Sequence, residues 1–393
     1  MRDGFEDAIA SRLAAEGNPD RVGTFLSGGI DSSAVTGVLA RRMKKPLQSF
    51  SIGFGEERFN EMEYARIAAR AFGVEHHEYF VTPANVLETI PKLLEHFDEP
   101  FANASAIPTY QCARVAREHG IDVLYAGDGG DELFGGNERY AMRAAYAPYL
   151  LLPRLIRRGV LAPFTSALAA GTRHPFFQKA KRYVERANLS HPERMNAHAF
   201  LRVTPLQEVF DGALLRSLDP AYAPYAMLSH YYENAPAASV LDRELYLDLK
   251  LAISDNDLFK VVRMTEAAGI GVRFPFLDGP FAELAMRVPA RLKVRGRELR
   301  TFFKEAYADL LPVEVLRKTK HGFGLPIPVW LRSDPDLHAM MRDLVLGERL
   351  RARGIFAPGA LEALVRRHET DTTSFYGTIL WNVMILELWL RRA

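Results

Sequence analysis

The stretch Val22-Gly23-Thr24-Phe25-Leu26, followed by Ser27-Gly28-Gly29-Ile30-Asp31-Ser32-Ser33, decides the fold of this chain. The apolar run predicts a strand, and the glycines and hydroxyl residues after it predict a tight turn into a helix. Glycines let backbone N–H groups approach a ligand closely, and a helix N-terminus carries partial positive charge, so this turn favours a phosphate group. A carboxylate lies beside phosphate mainly when a cation separates them, and Asp31 therefore predicts magnesium with a pyrophosphate group. The alternative is an ordinary strand–helix turn capped by serine.

Two common nucleotide signatures are missing from the sequence. The chain contains no Gly-Lys-Ser or Gly-Lys-Thr, which excludes a Walker-type loop, and no G-x-G-x-x-G motif follows a predicted strand. The remaining pattern is typical of enzymes that cleave ATP between the α and β phosphates.

A second glycine-rich turn follows another predicted strand. The apolar run 121–126 leads into Gly127-Asp128-Gly129-Gly130-Asp131-Glu132-Leu133-Phe134-Gly135-Gly136. Ligands bind at the carboxyl ends of strands in parallel sheets, so two such turns on one sheet favour a shared site. Asp128 and Asp131 are three residues apart and face one way if a helical turn begins there. An acidic helix N-terminus stabilised by the helix dipole is the alternative.

Strand and helix patterns alternate over the first third of the chain. Such alternation builds a parallel sheet with crossover connections, so residues 1–139 predict an α/β core with a doubly wound parallel sheet. Residues 140–240 predict a helical insertion that covers the site. Residues 241–393 predict a helical C-terminal part that brings Arg273 and Lys320 to the active cleft at the two glycine-rich turns. The predicted strands are 22–26, 47–53, 77–81 and 121–126, and the predicted helices are 32–43, 61–72, 83–96 and 106–119.

Six motifs in a fixed order identify a family resemblance. Two of the motifs are the glycine-rich turns. The other four are Phe50-Ser51-Ile52-Gly53-Phe54, Asp98-Glu99-Pro100-Phe101-Ala102, Val272-Arg273-Phe274-Pro275-Phe276-Leu277-Asp278 and Lys320-His321-Gly322-Phe323-Gly324-Leu325-Pro326. With these motifs the chain resembles the synthetase domain of asparagine synthetases over nearly its whole length, which implies an adenine nucleotide alpha hydrolase-like fold.

The resemblance implies an ATP-dependent amide-forming ligase that uses ATP and Mg²⁺. In such enzymes a substrate carboxylate attacks the α-phosphate of ATP to give an acyl-adenylate and pyrophosphate, and ammonia or another amine then displaces AMP. Asparagine synthesis from aspartate is the leading expectation. The alternatives are an amidotransferase or cyclase acting on a carboxylate of a natural product, peptide or polysaccharide, and a non-catalytic ATP-binding relative. A nucleoside-modifying enzyme is disfavoured because its sulfur-transferring members need cysteines that this chain lacks.

By this resemblance each motif residue has an expected role. Lys320 is expected to stabilise charge on the α-phosphate, whereas the other cations of its basic stretch are expected to be solvated. Asp128 is expected to act as a base or to position the substrate, and Arg273 is expected in the active cleft. Pyrophosphate is expected at Ser27, Gly28, Gly29, Ser32 and Ser33, magnesium at Asp31 and Asp131, and adenine and ribose at Leu26, Ile52, Ala126 and Gly127.

The N-terminal residues of this chain differ from those of full-length asparagine synthetases, which bears on the expected source of nitrogen. Those proteins begin with a glutaminase domain whose cysteine follows the initiator Met, whereas Arg2 follows Met1 here. The single cysteine, Cys112, lies in a helical pattern and predicts a small core residue. We therefore expect ammonia to come free, from a separate glutaminase subunit or from a domain outside this chain. The alternative is that the nucleophile is not ammonia. The oligomeric state stays open, with a homodimer among the options.

The acceptor is a second point of difference. Asparagine-forming relatives usually carry an acid where Val262 and Gly271 stand, while Arg263 and Arg273 are kept. Arg300 takes a position that is often lysine and keeps the positive charge, although the two side chains are not interchangeable at a bidentate site. These changes spare the ATP motifs and alter their surroundings, so the acceptor carboxylate is left open.

Composition places the chain among folded enzymes that act on small molecules. It has 393 residues, of which 48% are hydrophobic, and a net charge of +2. No basic stripe with interleaved aromatics predicts nucleic-acid binding, and one cysteine excludes a disulfide framework. Acids near the N-terminus argue against a secretory signal, so the cytoplasm is expected. Residues 149–164 are rich in leucine, but Pro153 and three arginines exclude a membrane span; a lid or insert helix is favoured over a membrane-surface helix.

Overall fold

A five-stranded sheet organises the computed structural model of the chain, which describes residues 1–172, 174–197, 199–221, 223, 225–318, 324–370 and 373–392. The strands are β1 (Val22–Phe25), β2 (Gln48–Phe54), β3 (Glu75–Val81), β4 (Val123–Tyr125) and β5 (Gly271–Arg273). All neighbouring strands run parallel, in the spatial order β3-β2-β1-β4-β5. The predicted parallel sheet is confirmed.

The order of the strands changes direction at β1. The chain builds β2 and β3 on one side of β1 and then crosses to β4 on the other side, so that Thr24 aligns with both Ser49 and Tyr125. In open parallel sheets, ligands bind at such a switch point, outside the carboxyl ends of the strands. Both glycine-rich turns begin here, because they directly follow β1 and β4.

Strand β5 corrects the sequence prediction, which made the chain helical after residue 241. Its Val272 aligns with Leu124 of β4 in a parallel pair. Three half-buried residues carry too little alternation of polar and apolar side chains to predict a strand. Their extended conformation is stabilised by pairing with β4, which the local sequence does not reveal.

Helices pack on both faces of the sheet. Neighbouring strand residues point to opposite faces, so Tyr125 packs with the first two helices while Leu124 packs against Cys112 of the fifth. The four predicted helices are confirmed to within three residues at each end. The helices before β4 are α1 (Arg2–Ala15), α2 (Ile30–Ala40), α3 (Met62–Phe72), α4 (Pro83–His96) and α5 (Ala106–Glu118).

The secondary-structure elements that the structure describes between β4 and β5 are helices, and they add no strand to the sheet. Two π-helical segments, Arg157–Leu161 and Leu249–Leu258, join neighbouring α-helices into longer ones. The helices of this part are α6 (Gly130–Phe134), α7 (Glu138–Leu150), α8 (Arg154–Ile156), α9 (Ala162–Gly171), α10 (Pro175–Asn188), α11 (Phe200–Val203), α12 (Leu206–Val209), α13 (Gly212–Ser217), α14 (Ala226–Glu233), α15 (Val240–Asp248) and α16 (Phe259–Ala267).

Helices after β5 complete two large cores. In one, Phe5 of α1 packs on Phe276, with ring centres 4.5 Å apart, and on Phe303. In the other, the indole N–H of buried Trp381 donates to the Ala102 carbonyl at 3.0 Å. No helix in the described ranges has both the length and the apolar character needed to cross a membrane. These last helices are α17 (Gly279–Met286), α18 (Ala290–Lys293), α19 (Thr301–Ala306), α20 (Val313–Arg317), α21 (Ile327–Ser333), α22 (Pro335–Leu346), α23 (Glu348–Ala352), α24 (Ala360–Thr370) and α25 (Phe375–Leu390).

Candidate active site

The two glycine-rich turns are in direct contact. A Cβ atom on Gly127 would lie 2.6 Å from the backbone nitrogen of Ser32, and one on Gly130 would overlap the side chain of Asp31. Only glycine leaves room for this approach, because the second turn packs against the first turn of α2. The fold thus brings together two segments that are far apart in the sequence.

The first turn wraps around the N-terminus of α2. Gly28 has a φ of 68°, and a Cβ atom there would collide with the backbone at Ala65 of α3. The Ser27 N–H donates to Ser32 Oγ at 3.2 Å, and the two hydroxyl oxygens lie 3.0 Å apart. The first N–H groups of a helix have no partner within the helix, so this turn offers several donors to an anion.

A cavity of about 1190 Å³ lies at the two turns. Its described wall also includes residues of α7, α16, α19 and α20. The predicted site residues that form part of this wall are Leu26, Ser27, Gly29, Asp31, Ser32, Ile52, Gly127, Asp128 and Asp131.

Four of the predicted site residues that the structure describes have other positions. Among the described residues, Gly28, Ser33, Ala126 and Arg273 are not part of the wall. Ser33 is fully buried in α2, where its N–H donates to the carbonyl of the first turn. Lys320 lies outside the described residues, so its role stays a prediction.

Arg273 supports the second turn through its backbone. Its carbonyl accepts a hydrogen bond from the Ala126 N–H at 2.9 Å. Its guanidinium pairs with Glu16 at 2.8 Å. The structure therefore brings the Arg273 main chain next to the second turn, while its side chain lies at Glu16 and not in the described cavity wall.

Arg300 lies between the two carboxylates that were predicted to bind magnesium. Its guanidinium is 3.1 Å from Asp31 Oδ2 and also contacts Asp131 Oδ1. Arg300 is only 6% exposed and has a φ of 56°, the sole positive value at a non-glycine residue in the described ranges. Strained backbone of this kind concentrates at functional sites. Burial raises the pKa of Asp31, and the charge of Arg300 opposes that rise.

The same carboxylates fit a divalent cation. Asp31 Oδ1 is buried and has no hydrogen-bond partner in the part of the chain that the structure describes. Mg²⁺ prefers carboxylate oxygens and takes its other ligands from water and phosphate. No group of three or more histidine, cysteine, aspartate or glutamate side chains suited to a metal occurs among the described residues. A magnesium ion here would therefore be held by Asp31 and Asp131 together with phosphate oxygens.

Asp128 lies near an ion pair between a buried lysine and a half-buried aspartate. Lys260 of α16 is 2.8 Å from Asp257, which belongs to the preceding π-helical segment. Burial raises the pKa of Asp128 to about 6; Lys260 lowers this pKa, and Asp257 raises it. A carboxyl group with a pKa close to the working pH is suited to proton transfer.

A second group of buried acids lies next to the second turn. Arg139 is 2.6 Å from Asp248, and the Tyr140 hydroxyl donates to the same carboxylate. Burial raises the pKa of Asp248 to about 6, although Arg139 lowers it. Burial and the charge of Asp248 both raise the pKa of Glu132. The contacts of Arg139 and Tyr140 with Asp248 join α7 to α15, and Glu132 of α6 lies close enough to Asp248 to feel its charge.

Lys318 lies beside the first turn. Its Nζ donates to the Glu61 carboxylate at 2.9 Å and lies 4.8 Å from the centre of the Tyr64 ring. Burial lowers the pKa of Lys318, and Glu61 opposes that shift. The prediction that Lys320 alone among the cations of this stretch belongs to the cleft was wrong, since Lys318 forms part of the wall. Its burial comes from α3, which is distant in sequence.

Comparison with known proteins places the chain in a family. The sequence profile described as Asparagine synthase matches residues 1–391. The chain belongs to the asparagine synthase family. This finding confirms the resemblance that the six ordered motifs predicted.

Relatives in the family are longer than this chain. Asparagine synthetase [glutamine-hydrolyzing] 1 of Bacillus subtilis (strain 168) is 28% identical over 389 residues, which cover 99% of this chain and 58% of that protein. Asparagine synthetase [glutamine-hydrolyzing] of Gallus gallus is 25% identical over 332 residues, 81% of this chain and 42% of that protein. The Asparagus officinalis protein of the same name is 32% identical over 148 residues, 35% of this chain and 24% of that protein. The chain spans little more than half the length of the first of these relatives.

Several charged residues of the cavity wall were not predicted as site residues. Lys260 and Asp257 stand in a helical run without glycine or motif spacing, and nothing in that pattern separates them from surface charges. Arg300 carried a signal, because it keeps a positive charge where family members often have lysine. Its place between two carboxylates depends on how α19 packs against both turns.

Proposed function

We propose that this chain is an ATP-dependent ligase that activates a carboxylate as an acyl-adenylate, releases pyrophosphate, and transfers the acyl group to ammonia or another amine with release of AMP. The observation that supports this most strongly is the contact between two glycine-rich turns, whose carboxylates Asp31 and Asp131 both contact the buried guanidinium of Arg300. Aspartate is the first acceptor to test, because the chain belongs to the asparagine synthase family.

The pyrophosphate part of ATP is proposed to bind at the first turn. The free N–H groups at the start of α2 and the hydroxyls of Ser27 and Ser32 supply donors at the cavity wall. Gly127 has no side chain that could block the backbone N–H of Ser32. Negative charge accumulates on the leaving pyrophosphate, and donors that are already in position stabilise it without reorganisation.

Asp31 and Asp131 are proposed to hold Mg²⁺, which neutralises charge on phosphate oxygens when it is bound. Arg300 lies between these carboxylates, so its guanidinium has to leave the pair for an ion to enter. A guanidinium next to the phosphate position is a bidentate donor for phosphate oxygens. Lys318 adds a second buried cation beside the first turn, and Lys320 stays the predicted group for charge on the α-phosphate.

Asp128 is proposed to accept a proton during amide formation. An amine that attacks an acyl-adenylate becomes positively charged and has to lose a proton. Asp128 lies in the cavity wall, and its raised pKa of about 6 suits this step near neutral pH. The acceptor carboxylate is proposed to bind at the wall near α16, to which Lys260 and Val261 contribute.

The test measures AMP and pyrophosphate release from labelled ATP. The 393-residue chain is incubated with Mg²⁺, ammonium and aspartate, and each component is omitted in turn. We expect both products in equal amounts, together with asparagine, only in the complete mixture. Equal amounts are expected because one adenylate forms for each amide made.

Other outcomes separate the alternatives. Pyrophosphate that appears with other carboxylates but not with aspartate would keep the ligase class and reject asparagine synthesis. ATP binding without turnover for every carboxylate tried would support a non-catalytic relative. Release of ADP and phosphate in place of AMP and pyrophosphate would contradict the proposed chemistry altogether.

A further inference from the structure

A row of exposed apolar side chains runs along one face of the helical insertion. Helix α8 continues through the π-helical turn Arg157–Leu161 into α9. In this helix Leu155, Val160 and Phe164 are 86%, 59% and 58% exposed, and Leu151 just before it is 87% exposed. Hydrogen bonds between residues five apart in the π-helical turn place Leu155 and Val160 on one face, and Phe164 follows one α-helical turn later.

We call residues 151–164 the apolar segment, which consists of this row and its flanks. The charged residues near it in the sequence are all basic. Between Tyr140 and Val184 the sequence contains eight lysines and arginines and no aspartate or glutamate. Arg154 and Arg158 are four residues apart, so they share one side of the helix, and both are exposed. The apolar face thus has a positively charged border and no negative charge close to it in sequence.

This combination suits the surface of an anionic lipid bilayer. Amphipathic helices with large apolar side chains on one face and basic residues beside them lie in the plane of the membrane interface. The apolar side chains enter the boundary between headgroups and acyl chains, and the arginines contact anionic headgroups. We propose that the apolar segment is a peripheral docking surface for anionic phospholipid. This inference does not depend on the ligase proposal.

A second copy of this chain suits the segment less well. A symmetric dimer through this face would bring the arginines of one copy against those of the other, and like charges in contact repel each other. An acidic protein is the other rival. A stable protein interface buries about 800 Å² on each partner, whereas a few large side chains on one convex helix are sufficient for shallow insertion into a bilayer.

The test is cosedimentation of the 393-residue chain with lipid vesicles. Vesicles of phosphatidylcholine alone are compared with vesicles of phosphatidylcholine and phosphatidylglycerol. We expect binding to the anionic vesicles to be at least about tenfold tighter. It should weaken with added salt, because the screening length falls from about 10 Å at 0.1 M to about 3 Å at 1 M. Equal binding to both kinds of vesicle, or binding to neither, would overturn the proposal.

A double substitution tests the apolar row. Leu155→Gln with Phe164→Gln removes two exposed apolar side chains and should weaken binding to anionic vesicles by about tenfold or more. Met286→Gln on α17 is the matched control, since it removes an exposed apolar side chain outside the segment. Unchanged binding by the double variant, or an equal loss in the control, contradicts docking through this row.

A charge substitution tests the basic border. Arg154→Glu with Arg158→Glu should also weaken binding by about tenfold or more, and its effect should shrink at high salt. Arg349→Glu on α23 changes an exposed arginine elsewhere and should bind as the unmodified chain does. Both positions are exposed, so circular dichroism is expected to show an unchanged fold. Self-association that these substitutions abolish, without any vesicle binding, would assign the surface to a second copy and reject the lipid proposal.

Discussion

The carboxyl end of the sheet and the helical insertion differ in how tightly they are packed. At the ends of β1 and β4, backbone approaches backbone so closely that Gly127 and Gly130 have no room for a Cβ atom. In contrast, eleven of the fifteen exposed large apolar side chains in the described ranges lie between residues 142 and 227. The first region maintains one geometry at the cavity, whereas the second presents apolar surface to its surroundings.

The buried side chains of the two regions differ as well. Phe134, in the second turn, belongs to a core that includes residues of seven helices. The insertion has a small core of its own, in which Tyr146 and Tyr149 pack with two aliphatic side chains of α10. Few buried apolar side chains mean a smaller free energy of local unfolding. We therefore expect the insertion to tolerate substitutions that the sheet end does not.

The largest effect is expected for Gly136→Ala. A Cβ atom there would overlap both Asp131 and Arg300, so the arrangement of the two carboxylates has to break. We expect loss of ATP turnover and a fall in the free energy of unfolding on the order of 3 kcal/mol. ATP turnover is measured directly, and the free energy of unfolding is measured by denaturant unfolding.

Gly159→Ala is the matched control in the insertion. Nothing lies within 4 Å of its Cβ position, and alanine favours helix by about 1 kcal/mol or less. We expect unchanged turnover and equal or slightly higher stability. Similar losses in both variants would remove the contrast between the two regions.

A loss of activity without loss of fold is expected for Asp31→Asn. Asparagine keeps the shape of the side chain but lacks the negative charge that a divalent cation needs, so turnover should fall by about a hundredfold or more. Lys320→Ala is expected to act in the same way. Pyrophosphate release and the melting temperature are measured together.

Asp122→Asn serves as the control for this acid. Asp122 lies directly before β4, at the opposite end of the strand from the second turn, and pairs with exposed Arg21. Its substitution should leave turnover unchanged. Full activity in Asp31→Asn would remove that residue from the site.

A smaller effect, visible only with pH, is expected for Asp128→Asn. The folded chain holds the pKa of Asp128 at about 6, above its ordinary value of 3.8. Between these pH values the folded chain binds a proton that the unfolded chain has lost, so stability falls as the pH rises through this window. The variant lacks this ionisation and should lose less stability there, by up to about 3 kcal/mol. If the free energies of unfolding of the two proteins change with pH in the same way from pH 4 to 7, the raised pKa is contradicted.

The smallest effect is expected for Phe164→Gln. The side chain is more than half exposed, so the free energy of unfolding should change by less than about 0.5 kcal/mol. Thermal unfolding checks this value. A change of several kcal/mol would mean that Phe164 belongs to a packed core, and the insertion would then resemble the sheet end.

Local patterns were sufficient to predict the parallel sheet, four of its strands, the helices between them and the two turns. In these stretches the signals are local, because the spacing of apolar residues and the positions of glycines are found among neighbouring residues in the chain. Strand β5 could not be predicted, because three residues become a strand only by pairing with β4. The same holds for Lys318, whose loop-like stretch is typical of solvated charge until α3 buries it.

The order of motifs in the chain was enough to identify the family. It also predicts Asp31 and Asp131 as partners of one ion, and this role stays a prediction. That Arg300 lies between them, and that the backbone of Arg273 but not its side chain supports the second turn, depended on the tertiary structure. Charged side chains reach several angstroms from their own backbone, and their partners come from helices hundreds of residues away. Glycine turns are dictated by the backbone nearby, whereas ion pairs depend on which helices the fold brings into contact.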